Sequence, residues 1–172
     1  NEFLISTGVT KAEGILEWDA IEAVNRKHID KVANRFFAVF NPLKIKIAGS
    51  PKIKFVKAPL HPDFSKRGSR KIPVRLNSIY VEKDDYRSFE NKDVVLMYLQ
   101  TVKLSSNSKF VTTEVRQQDQ KIHWVSEPNT KVQIFFPDGK IRTALAEPSI
   151  KKAKVGQIIQ LVRVGFCRVD KT

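Results

Sequence analysis

Leu43-Lys44-Ile45-Lys46-Ile47 alternates apolar and charged residues without a break. That is the period of a half-buried β-strand, whose successive side chains point to opposite faces. The same period returns in Ile72-Pro73-Val74-Arg75-Leu76 and in Val132-Gln133-Ile134-Phe135. Ile79–Glu82, Val94–Lys103, Phe110–Arg116, Ile122–Val125 and Ile158–Val164 are further strand candidates. Pro137-Asp138-Gly139, between Phe136 and Ile141, predicts a hairpin turn: Pro presets φ, Asp bonds its own backbone and Gly accepts positive φ. Pro73 has no N–H to give a ladder and predicts an edge position, and Ser105–Ser108 reads as a flexible loop tip. So many short strands separated by turn signals describe a mainly β chain, and their number predicts two small β-barrels rather than one.

Before residue 36 the period changes. Trp18–Val32 predicts an amphipathic helix with Asp19 as N-cap and Glu22 in capping-box position. Ile21, Val24, His28 and Val32 share one face of it, with His28 read as a packing histidine. Asn1–Gly8 reads as the last turns of another helix, stopped by Gly8. With no initiator Met, the chain reads as an excised piece of something longer.

The 172 residues are 41% hydrophobic, ordinary for a globular protein with a proper core. No apolar run exceeds six residues and no charged-apolar leader opens the chain, so no membrane partner is expected. A single cysteine, Cys167, excludes a disulfide within the chain and fits a reducing, cytoplasmic setting. His28, His61, His123 and Cys167 stand far apart, without metal-ligand spacing, and no metal site is expected.

The net charge is +13, concentrated in blocks. Residues 42–75 carry ten Lys/Arg against Asp63 alone, and residues 140–172 carry eight against Glu147 and Asp170. Clustered basic charge binds a polyanion by releasing its condensed counterions, so a nucleic-acid partner is expected. In the tail, Gln160 and Arg163 stand three residues apart among apolar neighbours. An amide that both donates and accepts, beside a rigid five-donor fork, is suited to reading the edge of an extruded base. Tyr86 and Phe89, in a polar stretch, are the candidates for base stacking, whereas Trp124 and Phe135 sit in alternating strands and read as core.

No catalytic constellation is visible: no Gly-rich phosphate loop, no nucleophile elbow, no Cys/His pair. Asp84-Asp85 reads as turn polarity, and Phe64-Ser65-Lys66-Arg67 as a basic loop facing phosphates. A binding module is expected, with no activity of this chain alone.

Asn25-Arg26-Lys27-His28-Ile29-Asp30, then Ala33-Asn34-Arg35-Phe36-Phe37-Ala38-Val39-Phe40-Asn41-Pro42, resembles the passage from the helical domain into the first barrel of archaeal-type glutamyl-tRNA synthetases. Leu60-His61-Pro62-Asp63, Ile79–Asp85, His123-Trp124-Val125-Ser126, Ala146-Glu147-Pro148-Ser149 and the tail from Val155 to Asp170 extend the resemblance, in order, over essentially the whole chain. It implies a helical connector (1–34), a proximal anticodon-binding barrel (35–48 with 123–172) and a distal one (49–122). It also implies that Arg35, Gln160 and Arg163 read the middle anticodon base, a uridine, with Arg87 near the third. Lys44, Lys46, Lys66, Arg67 and Arg70 would hold phosphates and set register. Where glutaminyl enzymes carry an Arg-x-Arg strand, this chain has Val95 and Met97, which favours the glutamyl side. The implied parent is a glutamate–tRNA ligase using ATP and Mg2+ in an upstream catalytic domain, with glutamate tRNA and also glutamine tRNA as partners. The rivals are a glutaminyl-tRNA synthetase region and a ribosomal or structured-RNA-binding barrel protein.

Overall fold

Period-two alternation at residues 36–40 feeds two hydrophobic cores at once. In the computed structural model, which describes residues 18–115 and 118–171 with side chains from residue 22, Phe37 and Val39 join a large core with Ile45, Ile72, Ile79, Leu96 and Trp124. Phe36 and Ala38 turn the other way, into a smaller core with Ala144, Ala146, Ile159 and Leu161. Successive side chains of extended backbone point to opposite faces, so one short segment stitches the two cores together. The readings for Asn1–Gly8, for capping by Asp19 and for Ile21 lie outside the described residues.

The chain is mainly β. Helix α1 (Trp18–Asp30) leads into β1 (Asn34–Phe36), β2 (Ala38–Phe40) and β3 (Pro42–Ala48). β4 (Phe55–Pro59) and β5 (Ser69–Pro73) form a two-stranded ribbon. Then come β6 (Ile79–Glu82), helix α2 (Lys83–Phe89), β7 (Asp93–Leu96), β8 (Gln100–Lys103), β9 (Asn107–Thr112), β10 (Lys121–Ile122) and β11 (Val125–Ser126). Around the large core runs a seven-stranded sheet in the order β10-β7-β8-β9-β3-β6-β11. The hairpin β12 (Thr130–Phe135) and β13 (Ile141–Ala146) adds β2 at its edge, while β14 (Ile158–Leu161) lies between β1 and β15 (Gly165–Arg168). No helix among the described residues is long and apolar enough to cross a membrane.

The alternating stretch at 43–47 buries Ile45 and Ile47 and exposes Lys44 and Lys46, as its period requires. Its core is that of residues 49–122, so apolar packing joins Ile45, Ile47, Trp124 and Val125 to that segment, whereas Leu60 leans on the smaller core. Pro137–Gly139 closes the β12–β13 hairpin, with Gly139 at φ 76° and Asp138 Oδ1 accepting the Lys140 N–H at 3.0 Å.

Five local expectations are corrected. Val94–Lys103 is a hairpin, β7 and β8, turned at Tyr98 with φ 64°. The loop tip is confined to Ser105 and Ser106, whereas Asn107 begins β9 and Ser108 is fully buried, its hydroxyl donating to the Ser105 carbonyl at 2.7 Å. Phe135, read as core, is 68% exposed, because β12 turns its odd residues outward near the hairpin tip. His28 is exposed on α1 rather than buried. Val32 falls beyond the helix end and is exposed.

Candidate nucleic-acid interface

β14 carries the centre of the site. Its odd residues, Ile159 and Leu161, fill the smaller core, so Gln160 faces the other way. Arg35 pairs with Gln160 across the parallel β1–β14 ladder, and Phe166 pairs with Gln160 across the antiparallel β14–β15 ladder. Residues in register share a face. A guanidinium, an amide and an aromatic ring therefore form one row over three strands. Within it, Arg35 Nε and Gln160 Oε1 are buried without a hydrogen-bond partner. Buried polar atoms are nearly always paired, so an unmet donor and an unmet acceptor on residues in register make this row the candidate site.

Arg35 is aimed by its neighbours. Its terminal nitrogen donates to Asp30 Oδ1 at 3.1 Å, at the end of α1. His61, fully buried, accepts the Asp63 N–H at Nδ1 (3.1 Å) and brings Nε2 to 3.3 Å from Asp30 Oδ2. The same Nε2 lies 3.5 Å from Arg35 Nη2, so the imidazole sits between the Asp30 carboxylate and the guanidinium. Asp30, His61 and Asp63 bring candidate ligand atoms within 4.8 Å of one another. With Nδ1 taken and a guanidinium beside Asp30, this set works as a hydrogen-bond relay that positions Arg35.

Arg163 was expected on a continuous strand with Gln160. Instead β14 ends at Leu161, and Arg163 sits in the turn with φ 67°, a left-handed conformation that costs a non-glycine residue energy. A second relay holds it. Its guanidinium grips Asp85 through both oxygens, with Nη2 to Oδ1 at 2.7 Å, and approaches His123 Nδ1 at 3.4 Å. His123, fully buried, donates from Nε2 to the Ala38 carbonyl at 2.8 Å. The Asp85 hydrogen bond pushes the Arg163 pKa up despite burial, with the charges of Asp85 and Glu82 adding to it. Asp84-Asp85 is thus not mere turn polarity: Asp84 is exposed, but Asp85 is buried as the counter-ion of Arg163.

Glu82 completes this corner, accepting the Phe40 N–H at 3.2 Å with His123 Nε2 at 3.5 Å. Burial pushes its carboxyl up, but the hydrogen bond and charge of His123, the Phe40 N–H and Arg163 together hold it below 4.5. A carboxyl lowered by folding contributes stability that is complete above its unfolded pKa and is lost as pH falls through the folded value. Glu82→Gln is therefore expected to flatten the decline of melting temperature below about pH 4.5, compared with the unaltered chain. Parallel acid limbs for the two proteins would refute this.

The remaining candidates scatter. Arg87 is exposed on α2 and pairs with Asp84 at 3.7 Å. Tyr86 and Phe89, expected in a polar loop, lie instead on α2, three residues apart, and both pack partly against the large core. Lys44, Lys46 and Lys66 are exposed. Arg70, expected on phosphates, is not available to them, and Arg67 is half-buried with its terminal nitrogens engaged. Arg67 donates to the carbonyls of Lys31, Val32 and Ala33, closing the chain that leaves α1. Arg70 is buried against Glu147 at 2.7 Å because β5 alternates and turns Arg70 inward with Ile72. Phe166, His61, Asp85 and His123 went unassigned in the sequence. Phe166 alone had a readable signal, since the alternation of the tail sets it against Gln160 once the turn is placed.

Two family models match the chain. That for the anti-codon binding domain of class I (E and Q) tRNA synthetases covers residues 33–123, and a second model with the same description covers residues 121–170. The chain belongs to this anticodon-binding family. The models meet at residues 121–123, immediately before Trp124, the last large side chain of the large core. Glutamate–tRNA ligase of Pyrococcus abyssi is 34% identical over 184 aligned positions, covering 99% of this chain and 32% of that protein. The Methanocaldococcus jannaschii enzyme of the same name is 33% identical, with the same coverage. That of Methanosarcina mazei is 32% identical over 98% of this chain and 30% of its own length. The chain thus spans about a third of the length of the curated relatives it matches.

Proposed function

We propose that this chain is the anticodon-reading part of a glutamate–tRNA ligase, and that Arg35 and Gln160 read the middle anticodon uridine. The observation that carries the reading is their pairing in register, with Arg35 Nε and Gln160 Oε1 both buried and unmet. Uracil offers an N–H flanked by carbonyls. The imide N–H suits Gln160 Oε1, and a carbonyl suits the Arg35 Nε–H. Cytosine places a bare ring nitrogen where uracil has its N–H and leaves the amide oxygen unpaired. Phe166, beside Gln160, offers a ring to the same base. Both atoms are shut from water, so base entry requires neighbouring side chains to part, consistent with bases read only once they leave the stack.

Arg163 joins them at the middle base, Arg87 serves the third, and Lys44, Lys46 and Lys66 hold phosphates without reading sequence. The relatives' name supports glutamate as the amino acid attached. The rest of such a protein would supply the ATP- and Mg2+-dependent chemistry in the cytoplasm, upstream of this part. Glutamate tRNA is the partner, and glutamine tRNA is a second substrate if the enzyme does not discriminate.

Binding of the chain to a glutamate tRNA transcript, and to one with the middle uridine changed to cytidine, tests the reading across a salt series. The expected loss is about 1–3 kcal/mol for the changed base on top of a steep salt slope. Gln160→Ala is expected to erase that difference without lowering the melting temperature, because the deleted acceptor has no bond to lose. Equal binding of both transcripts by the unaltered chain overturns the proposal.

A further inference from the structure

The β4–β5 ribbon sorts its residues cleanly between two faces. Val56, Ile72, Ala58 and Arg70 share the face turned to the interior. Phe55, Lys57, Lys71 and Ser69 share the other, and all four are exposed, Phe55 by 45%. Lys57 stands directly opposite Lys71 in the ladder. Like charges facing each other across strands destabilise a ribbon, and neither lysine has an ion pair with an acidic side chain among the described residues. Lys71 Nζ instead sits 4.8 Å above the Phe55 ring. The ribbon also has a direction. Leu60, immediately after β4, accepts the Arg35 N–H at 2.8 Å. From there β4 leads back to Phe55, five residues or roughly 17 Å away at the rise of a strand. A track of two lysines paired in register and an exposed ring thus runs out from the base-reading row.

We propose that this outer face is a second RNA contact, in which Lys57 and Lys71 clasp one backbone phosphate and Phe55 stacks on an unpaired base beside it. The inference rests on the reading of the chain as a tRNA-binding module. A phosphate between the lysines converts the facing like charges into a charge-assisted bridge, and the ring supplies the sequence-tolerant platform on which single strands stack. An acidic protein would satisfy the charges but has no use for a ring bracketed by ammonium groups.

Lys57→Glu separates the outcomes, because it sets a carboxylate opposite Lys71. The ribbon then gains an opposite-charge pair, and the melting temperature is expected to hold or rise, while affinity for the glutamate tRNA transcript falls. Lys57→Gln with Lys71→Gln is expected to lower the slope of log affinity against log salt by roughly 0.7 to 0.9, the value for one lost phosphate. Both variants should weaken the uridine and cytidine transcripts by the same factor, since a phosphate carries no base identity. Phe55→Ala is expected to cost about fivefold or more in affinity with the salt slope unchanged. Unaltered tRNA affinity and slope in Lys57→Glu, with the uridine preference intact, would overturn this inference and leave the anticodon reading standing. Failure of the unaltered chain to bind the transcript would sink both.

Discussion

Replacing Glu147 with Ala lowers the unfolding free energy by about 3–5 kcal/mol, the range for removing one partner of a buried ion pair. Glu147 is fully buried, and both of its carboxylate oxygens accept hydrogen bonds. Oε1 accepts from Arg70 Nε at 2.7 Å and from the Ser149 hydroxyl, and Oε2 accepts the Phe37 N–H at 3.0 Å. Arg70 in turn donates to the Pro59 carbonyl and lies 5.7 and 5.4 Å from the Phe36 and Phe37 rings. Those two rings belong to different cores, so the pair clasps the seam between them. Alanine leaves a buried guanidinium without its counter-ion and the Phe37 N–H without an acceptor. Urea unfolding followed by Trp124 fluorescence in a Trp18→Phe background measures the loss. Arg70→Met combined with Glu147→Leu should be less damaging than either change alone, because no buried charge is then left unpaired. A cost under about 1 kcal/mol for Glu147→Ala would mean that the seam does not depend on this pair.

The same clasp shows what a reading of the sequence sees and what it misses. Alternation placed β3, β12 and their turn signals correctly, because the period of a strand depends on local residues alone. Arg70 and Arg67 were counted as phosphate ligands because they lie in the basic block that the resemblance sets against the RNA backbone. Yet Arg70 stands two residues before Ile72 in an alternating strand, which put it on the inward face; its counter-ion lies 77 positions away in sequence and was out of reach of any local pattern. Tyr86 and Phe89 were set in a loop because their neighbours are polar, whereas their spacing of three lets one helical face carry both to the core. Of the site itself, Gln160 was singled out by its chemistry in the tail and Arg35 through resemblance, but their register exists only once β1 and β14 are paired. The two relays were hidden for the same reason: His61 meets Asp30, and His123 meets Arg163, only in the folded chain.

Arg163→Ala is expected to cost about 2–3 kcal/mol of stability as well as RNA affinity, and Asp85→Asn far less of the first. Removing the arginine strands the Asp85 carboxylate, which is 7% exposed. Removing the carboxylate's charge leaves an arginine 38% exposed and able to reach water. Breaking a fully buried pair costs about 3–5 kcal/mol, and the exposed partner brings the figure down. The left-handed backbone at φ 67° burdens Arg and Ala alike, so the difference between these variants reports the ion pair. The guanidinium has five donors; Asp85 takes two of them and His123 Nδ1 lies near a third. The donors that remain point where the carboxylate fork sets them, which makes Asp85 a positioning residue. Asp85→Asn should therefore retain nearly full stability and an unchanged salt slope while losing discrimination at the base that Arg163 meets. A fall in the salt slope instead would identify Arg163 as a phosphate ligand, and intact discrimination would show that Asp85 holds the fold but not the reading head.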